Sequence, residues 1–188
     1  MRKKDDEKEE SIKKAVVKLI LEEGFHGTSI SKIAKRAGVS PATVYIYFEN
    51  KEVMLQDIYN EYSEDIFSHL LDGINRQMQG RQLIETLITS YYNYIRGNKE
   101  IFSFLEQFSS CPSLANHCEE RQGMCKINDL ILNMKADRMI KNYSNDNLVA
   151  LIFSPVKSIA VDHCKSEEEK EELLKEFIYI IQEALLMS

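Results

Sequence analysis

Between Thr28 and Lys51 the chain reads TSISKIAKRAGVSPATVYIYFENK, and the order of its caps and apolar residues leaves room for little but two short helices around a tight turn. Ser29 is placed to cap a helix in which Ile30, Ile33, Ala34 and Ala37 recur at helical spacing, so one face is buried while Ser31, Lys32, Lys35 and Arg36 point outward. Gly38 supplies the positive φ of the turn and Val39 plugs the angle between the helices. Ser40 followed by Pro41 is an N-cap with proline at the first helical position. From Ser40 to Phe48 the inward residues are Val44 and Phe48, which leaves Pro41, Ala42, Thr43, Tyr45 and Tyr47 around the outer face and flanks. Few of these are charged. Bases are read by hydrogen bonds and methyl contacts, and tyrosine and threonine hydroxyls reach phosphates well, so the composition suits a groove of DNA. Asn50 caps the next helix, whose free amides, dipole and Lys51 ammonium form an anion site about where a phosphate would lie.

These residues resemble the TetR (tetracycline-repressor-like) family of bacterial regulators, whose signature is matched by Gly24, Thr28-Ser29-Ile30, Ile33-Ala34, Ala37-Gly38-Val39-Ser40, Thr43, Tyr45, Tyr47-Phe48 and Lys51-Glu52. The chain departs from the family pattern at Ala42, where glycine is frequent, and at Ile46, where an aromatic or polar residue is common. Both departures bear on base preference rather than on docking. The resemblance implies an all-α protein with an N-terminal three-helix, helix-turn-helix DNA-binding domain at 1–51 and a helical ligand-binding and dimerisation domain at 52–188. It implies a repressor that binds a palindromic operator in double-stranded DNA as a homodimer, with the two recognition helices about one helical turn (~35 Å) apart, and that leaves the operator when a small effector binds. In that arrangement Ala42 and Thr43 lie near bases, Thr28, Tyr45, Tyr47 and Lys51 on phosphates, and Ser31 and Lys32 at the groove edge.

Charge fits this polarity. The net charge of −6 divides into 11 Lys/Arg against 8 Asp/Glu in residues 1–51 and 13 against 22 in residues 52–188, a weakly basic end and an acidic body. Such a molecule orients on DNA, and its binding weakens steeply with salt. Arg2 to Lys4 reads either as an arm for the DNA backbone or as a frayed terminus. No apolar run approaches the ~18 residues of a membrane span, and the charged start is unlike a signal peptide, so a cytoplasmic protein with no membrane partner is expected.

Helical periodicity continues to the end of the chain. A first helix is expected from about Asp6 to Glu23, with Ile12, Ala15, Val16, Leu19 and Ile20 in its core stripe, Gly24 as its stop and Phe25 folding back near Ile20. Others are expected over Lys51 to about Asp72, Gln82 to Arg96, Asn98 to Pro112, and Asn145 to about His163 with a kink at Pro155. Ser113 to about Tyr143 should hold one long or two shorter helices. Ser166 with Glu169 is a capping box for the last helix. That helix is apolar on more than one side, so one side must be buried against something else, and a second copy of the last two helices is the simplest partner. Family members pair in the same way, through a four-helix bundle. Leu148, Ile152, Val156, Ile159, Phe177, Ile181 and Leu185 are the residues expected there.

The resemblance also places a ligand cavity in the body, for which Phe67, Tyr91, Tyr94, Phe102, Phe104, Phe108, Met124 and Phe153 are candidates and a lipophilic or aromatic effector the expected occupant. Ordinary core packing is the competing reading for each of them. Glu106 and Gln107, inside the aromatic stretch, are either ligand-orienting or solvated. Cys111, Cys118, Cys125 and Cys164, with His117 and His163, raise the alternative of a redox- or metal-responsive regulator. Yet residues seven apart on a helix are about 10 Å apart along its axis, and the gaps are not those of zinc knuckles. Reduced, partly buried thiols, no metal and no cofactor are expected. Catalysis is not, because neighbouring Cys and His do not face each other on a helix. A helical protein-interaction module without operator binding is the remaining alternative.

Overall fold

The computed structural model describes residues 6–75, 77–109 and 122–187. Among them it forms nine helices: α1 (Asp6–Gly27), α2 (Ile30–Ala37), α3 (Pro41–Tyr47), α4 (Lys51–Asp72), α5 (Gly80–Gly97), α6 (Lys99–Ser109), α7 (Gln122–Ala136), α8 (Asn145–Val161) and α9 (Glu167–Leu185). The fold is all-α, and the described residues contain no strand beyond an isolated antiparallel bridge between Ile140 and Leu186. No described helix is long and apolar enough to cross a membrane. Cys111, Pro112, His117 and Cys118 lie outside the described residues.

The chain divides into two compact units, one drawn from Met1–Ser63 and Lys99–Cys118, the other from Glu64–Asn98 and Glu119–Ser188. In the first, α1 packs on α2 and α6, and α2 on α3. Caps set the helix boundaries there. Ser29 accepts the Lys32 amide, Ser40 the Thr43 amide at 3.1 Å, and Asn50 the Val53 amide at 2.8 Å. Gly24, at φ 69°, breaks the helical run of α1 one turn before its end, and Gly38, at φ 70°, closes α2. The Phe25 ring meets Phe108 edge-on at 5.7 Å. Phe108 in turn stacks on Tyr59 at 4.1 Å, and Phe104 meets Tyr62 edge-on, so these rings are the core that fastens α6 to α4 and α1. Lys13 is buried between α1 and α4. Burial alone would push its ammonium pKa down, but hydrogen bonds to Glu61 (2.6 Å) and Glu10 (3.0 Å) outweigh this and hold it above the ordinary lysine range.

In the second unit α5 packs along α8 and α9, and α8 also meets α9 and α7. Its core is made of Ile84, Leu87 and Ile88 of α5, Ile127, Ile131 and Met134 of α7, Leu148, Ile152 and Val156 of α8, and Leu174, Ile178, Ile181 and Leu185 of α9. The expected capping box is present: Ser166 Oγ accepts the Glu169 amide at 3.2 Å, and Glu169 accepts the Ser166 amide at 2.7 Å. Glu64 of α4 accepts the Gly123 amide on both carboxylate oxygens (2.9 and 3.1 Å), and Phe67 lies where any Cβ on Gly123 would fall. The tail runs back alongside residues 139–141, with Met187 donating to the Met139 carbonyl and Lys141 to that of Leu185.

Candidate nucleic-acid interface

The outer surface of α3 follows from its inner one. Val44 is fully buried and Phe48 nearly so, which turns Ala42, Tyr45 and Ile46, at i, i+3 and i+4, to the opposite side. Tyr45 is 56% exposed and Ile46 58%. Pro41 is exposed, while Thr43 and Tyr47 are half-buried at the flanks. Thr43 Oγ1 lies 2.9 Å from Ser40 Oγ, which fixes its side chain over the cap. The face has no formal charge, and it is small, methyl-rich and hydroxyl-edged. Ile46 was not among the residues expected to meet DNA, although its i+4 relation to Ala42 places it on the same face.

Basic residues border this face, most of them already paired. Ser31 and Lys32 are exposed on α2 as expected for a groove edge. Lys32 Nζ donates to Glu23 and to the Gly27 carbonyl at 2.8 Å, and Arg36 bonds Glu22 at 2.7 Å. The Arg36 guanidinium holds the Glu22 carboxyl below the usual carboxylate range. These pairs pin α2 to the end of α1 and mute the positive potential, leaving Lys35 exposed beside them.

Two residues expected on phosphates make hydrogen bonds within the protein. Thr28 is 3% exposed, and its hydroxyl donates to the Gly24 carbonyl at 2.9 Å. Lys51 Nζ donates to the carbonyls of Phe25 and Thr28, both at 2.6 Å. The α1–α2 turn leaves carbonyls without helical partners, and the start of α4 brings an ammonium to them. Thr28 and Lys51 therefore hold the three-helix head in shape.

Among the residues expected to line a ligand cavity, Phe102, Phe104 and Phe108 are enclosed in the first unit's core. That placement answers to packing: Phe104 and Phe108 are fixed by the ring contacts of α6. Phe67, Tyr91, Tyr94, Met124 and Phe153 belong to the second unit. Tyr91 meets Phe153 edge-on at 5.1 Å, Tyr94 is buried beside His69, and Phe153 borders a small apolar void. Among the residues expected at a subunit interface, Leu148, Ile152, Val156, Ile181 and Leu185 are enclosed by their own chain, whereas Ile159 and Phe177 retain surface. A side chain already enclosed has no area to lend to a second copy. Apolar residues left outside on these helices include Leu151 on α8 and Tyr179 and Ile180 on α9. Cys125 and Cys164 are free and exposed, not partly buried, and no group of three or more His, Cys, Asp or Glu among the described residues is arranged to hold a metal ion.

Residues 12–58 match the family described as "Bacterial regulatory proteins, tetR family". Over 131 residues the chain is 27% identical to the "Fatty acid metabolism regulator protein" of Bacillus subtilis, a match covering 70% of this chain and 59% of that protein. It is also 28% identical to the uncharacterized HTH-type regulator YuxN of the same organism, covering 73% of this chain and 46% of that one, so the matched region spans about half the length of these relatives. The crystal structure of a TetR family transcription regulator from Marinobacter aquaeolei superposes over the whole of both chains with a TM-score of 0.82 and 26% identity. The transcriptional regulator FadR of Bacillus subtilis in complex with stearoyl-CoA shares the fold, with a TM-score of 0.71 at 21% identity over 92% of this chain and 96% of that one.

Proposed function

Because the chain belongs to the TetR family of transcription regulators, which are not enzymes, we propose that it is a cytoplasmic repressor that binds a roughly palindromic operator as a homodimer and is released by a small lipophilic effector. The observation that carries the DNA reading is the outer face of α3, where Ala42, Tyr45 and Ile46 stand clear of the protein on a helix capped by Ser40 and begun by Pro41. An uncharged, methyl-bearing helix face bordered by lysine and arginine suits a major groove, with base edges at the centre and phosphates at the rim. In this reading Ala42, Thr43 and Ile46 meet bases, Tyr45 and Tyr47 meet phosphates, and Ser31 and Lys32 lie at the groove edge. Thr28 and Lys51 act by keeping the head rigid. Residues 1–51 serve DNA and 52–188 serve pairing and the effector, a division of labour that differs from the packing boundary after Ser63.

Support for a lipophilic effector comes from the names of relatives, a fatty acid metabolism regulator and a FadR crystallised with stearoyl-CoA. Release follows if the effector binds better to a conformation with the two heads wrongly spaced. α4, shared by both units, is the lever. The test is a mobility-shift titration of the full chain on duplex DNA from the region upstream of its own gene, at low and at rising salt. A retarded complex that weakens steeply with salt is expected. Absence of any complex at low salt would overturn the proposal in favour of a protein-interaction module.

A further inference from the structure

In the DNA reading of α3, helix α2 crosses the phosphate backbone, as the first helix of such a pair does when the second fills the major groove. Ile33 and Ala34 take the buried side of α2, so Ser31, Lys32, Lys35 and Arg36 are the polar side chains it presents outward. Three of these are cations, and two of the three are engaged by α1. Lys32 Nζ donates to the Glu23 carboxylate and, at 2.8 Å, to the Gly27 carbonyl, while Arg36 Nη2 lies 2.7 Å from Glu22 Oε2. Gly27 makes room for the first arrangement. A Cβ at that position would lie 2.8 Å from the Cβ of Glu23 and push the acid off its place beside Lys32.

Three of these four paired charges are badly placed for their own helices. Glu22 and Glu23 close the regular part of α1, just before the break at Gly24, where the helix dipole is negative and a carboxylate is unfavourable. Lys32 stands in the first turn of α2, where the dipole disfavours a cation and no acidic residue is present. Stability gives little reason for the pairs either. Lys32 and Glu22 keep about half of their side-chain surface and Arg36 and Glu23 about a third, and ion pairs so exposed contribute little to folding. What the pairs change is the charge shown to DNA. A phosphate contact strengthens binding through the counterions that a cation displaces, and a cation sharing its place with a carboxylate brings no net charge to displace them.

We propose that Glu22 and Glu23 set how strongly the head grips DNA: they stay paired with Arg36 and Lys32 in the complex, hold that edge of α2 neutral against the sugar-phosphate backbone, and leave recognition to the uncharged face of α3. The two acids are affinity-setting residues that touch no nucleotide. Phosphates carry no sequence information, so the restraint falls equally on the operator and on unrelated duplex. The inference rests on the regulatory reading above and is separable from it by experiment.

Mobility shift of the full chain on the duplex upstream of its gene and on an unrelated duplex, from about 50 to about 200 mM salt, tests this. Glu23→Gln, at an exposed position, should tighten both duplexes by the same factor and steepen the fall of log affinity with log salt by about 0.9 for each lysine released. Over that range each released lysine adds a loss of about 3.5-fold, or roughly twelvefold for the two of a dimer. In a Lys32→Gln background the same Glu23→Gln change should not steepen the slope, because an acid with no cation to hold masks no phosphate contact. Glu22→Gln should behave likewise toward Arg36. An unchanged slope in Glu23→Gln would mean that the pair opens on binding, and equal steepening with and without Lys32 would mean that Glu23 merely repels DNA; either overturns the proposal. If wild type and variants alike retard no duplex at about 50 mM salt, the regulatory reading itself fails, and this one with it.

Discussion

Arg138 at φ 56° and Gly38 at φ 70° end α7 and α2 with the same two hydrogen bonds. Gly38 donates to Lys35 and Val39 to Ala34; Arg138 donates to Lys135 and Met139 to Met134. Glycine adopts that backbone without cost, whereas an L side chain gives up roughly 1–2 kcal/mol in the left-handed region. Arg138→Gly should therefore stabilise the chain by about 1 kcal/mol after the entropy of the more flexible unfolded glycine is subtracted, raising Tm by about 2–4 °C in a thermal melt. An unchanged or lower Tm would mean that the Arg138 side chain makes a contact worth more than the strain. The pair also explains what is legible at this scale. Ser29, Ser40, Asn50 and the Ser166–Glu169 box announce themselves, because a capping side chain acts on amides two or three residues away. Arg138 announces nothing, since its turn is imposed by the residues around it. Lys51 is legible only in part: a lysine at a helix start reads as a phosphate anchor, and nothing local shows that the carbonyls of Phe25 and Thr28, more than twenty residues earlier, lie within its reach.

At the scale of elements, α3 is where sequence and structure converge most closely and where one residue was still missed. Its start, its end and its buried side are all legible, yet the outer face and flanks expected from the sequence, Pro41, Ala42, Thr43, Tyr45 and Tyr47, leave out Ile46. Once Val44 and Phe48 are fixed as inner, Ile46 must stand outward beside Tyr45. An aliphatic side chain that is 58% exposed on a base-reading helix is suited to a thymine methyl. Burying one methyl contributes about 0.8 kcal/mol, so replacing the thymine read by Ile46 with deoxyuridine should weaken operator binding about fourfold. In Ile46→Ala the same replacement should have no effect. Scanning each thymine of the operator in turn, by mobility shift with both proteins, locates the base. If no deoxyuridine position distinguishes them, Ile46 is not a reader. The long helices show the opposite limit. The capping box of Ser166 and Glu169 marks where α9 begins, but whether the aromatic residues of α6 face a core or a ligand stays open in the sequence, because periodicity marks a buried side without saying what covers it.

For the molecule as a whole, α9 carries two parallel seams, and telling them apart is the step that sequence alone did not allow. Leu174, Ile178, Ile181 and Leu185 recur at intervals of four, three and four, and are buried in their own chain. One residue earlier, Leu173, Phe177, Ile180 and Ala184 repeat the same intervals on the outside, half-buried or exposed, with Ile180 at 52%. On α8, Leu151 and Ile159 hold the corresponding outer positions, flanking Pro155. A seam with this spacing is the pattern by which helices pair, so in the proposed homodimer the outer residues meet their counterparts in the second copy. Neighbouring substitutions should then behave in opposite ways. Ile180→Glu should leave the Tm of the dilute chain nearly unchanged but give a monomer by light scattering at micromolar concentration. Operator affinity should fall steeply with it, because each head would then bind on its own. Ile181→Val should cost about 1 kcal/mol of stability and keep the dimer. A dimer that survives Ile180→Glu would move the subunit contact off α9 and onto another face of the chain.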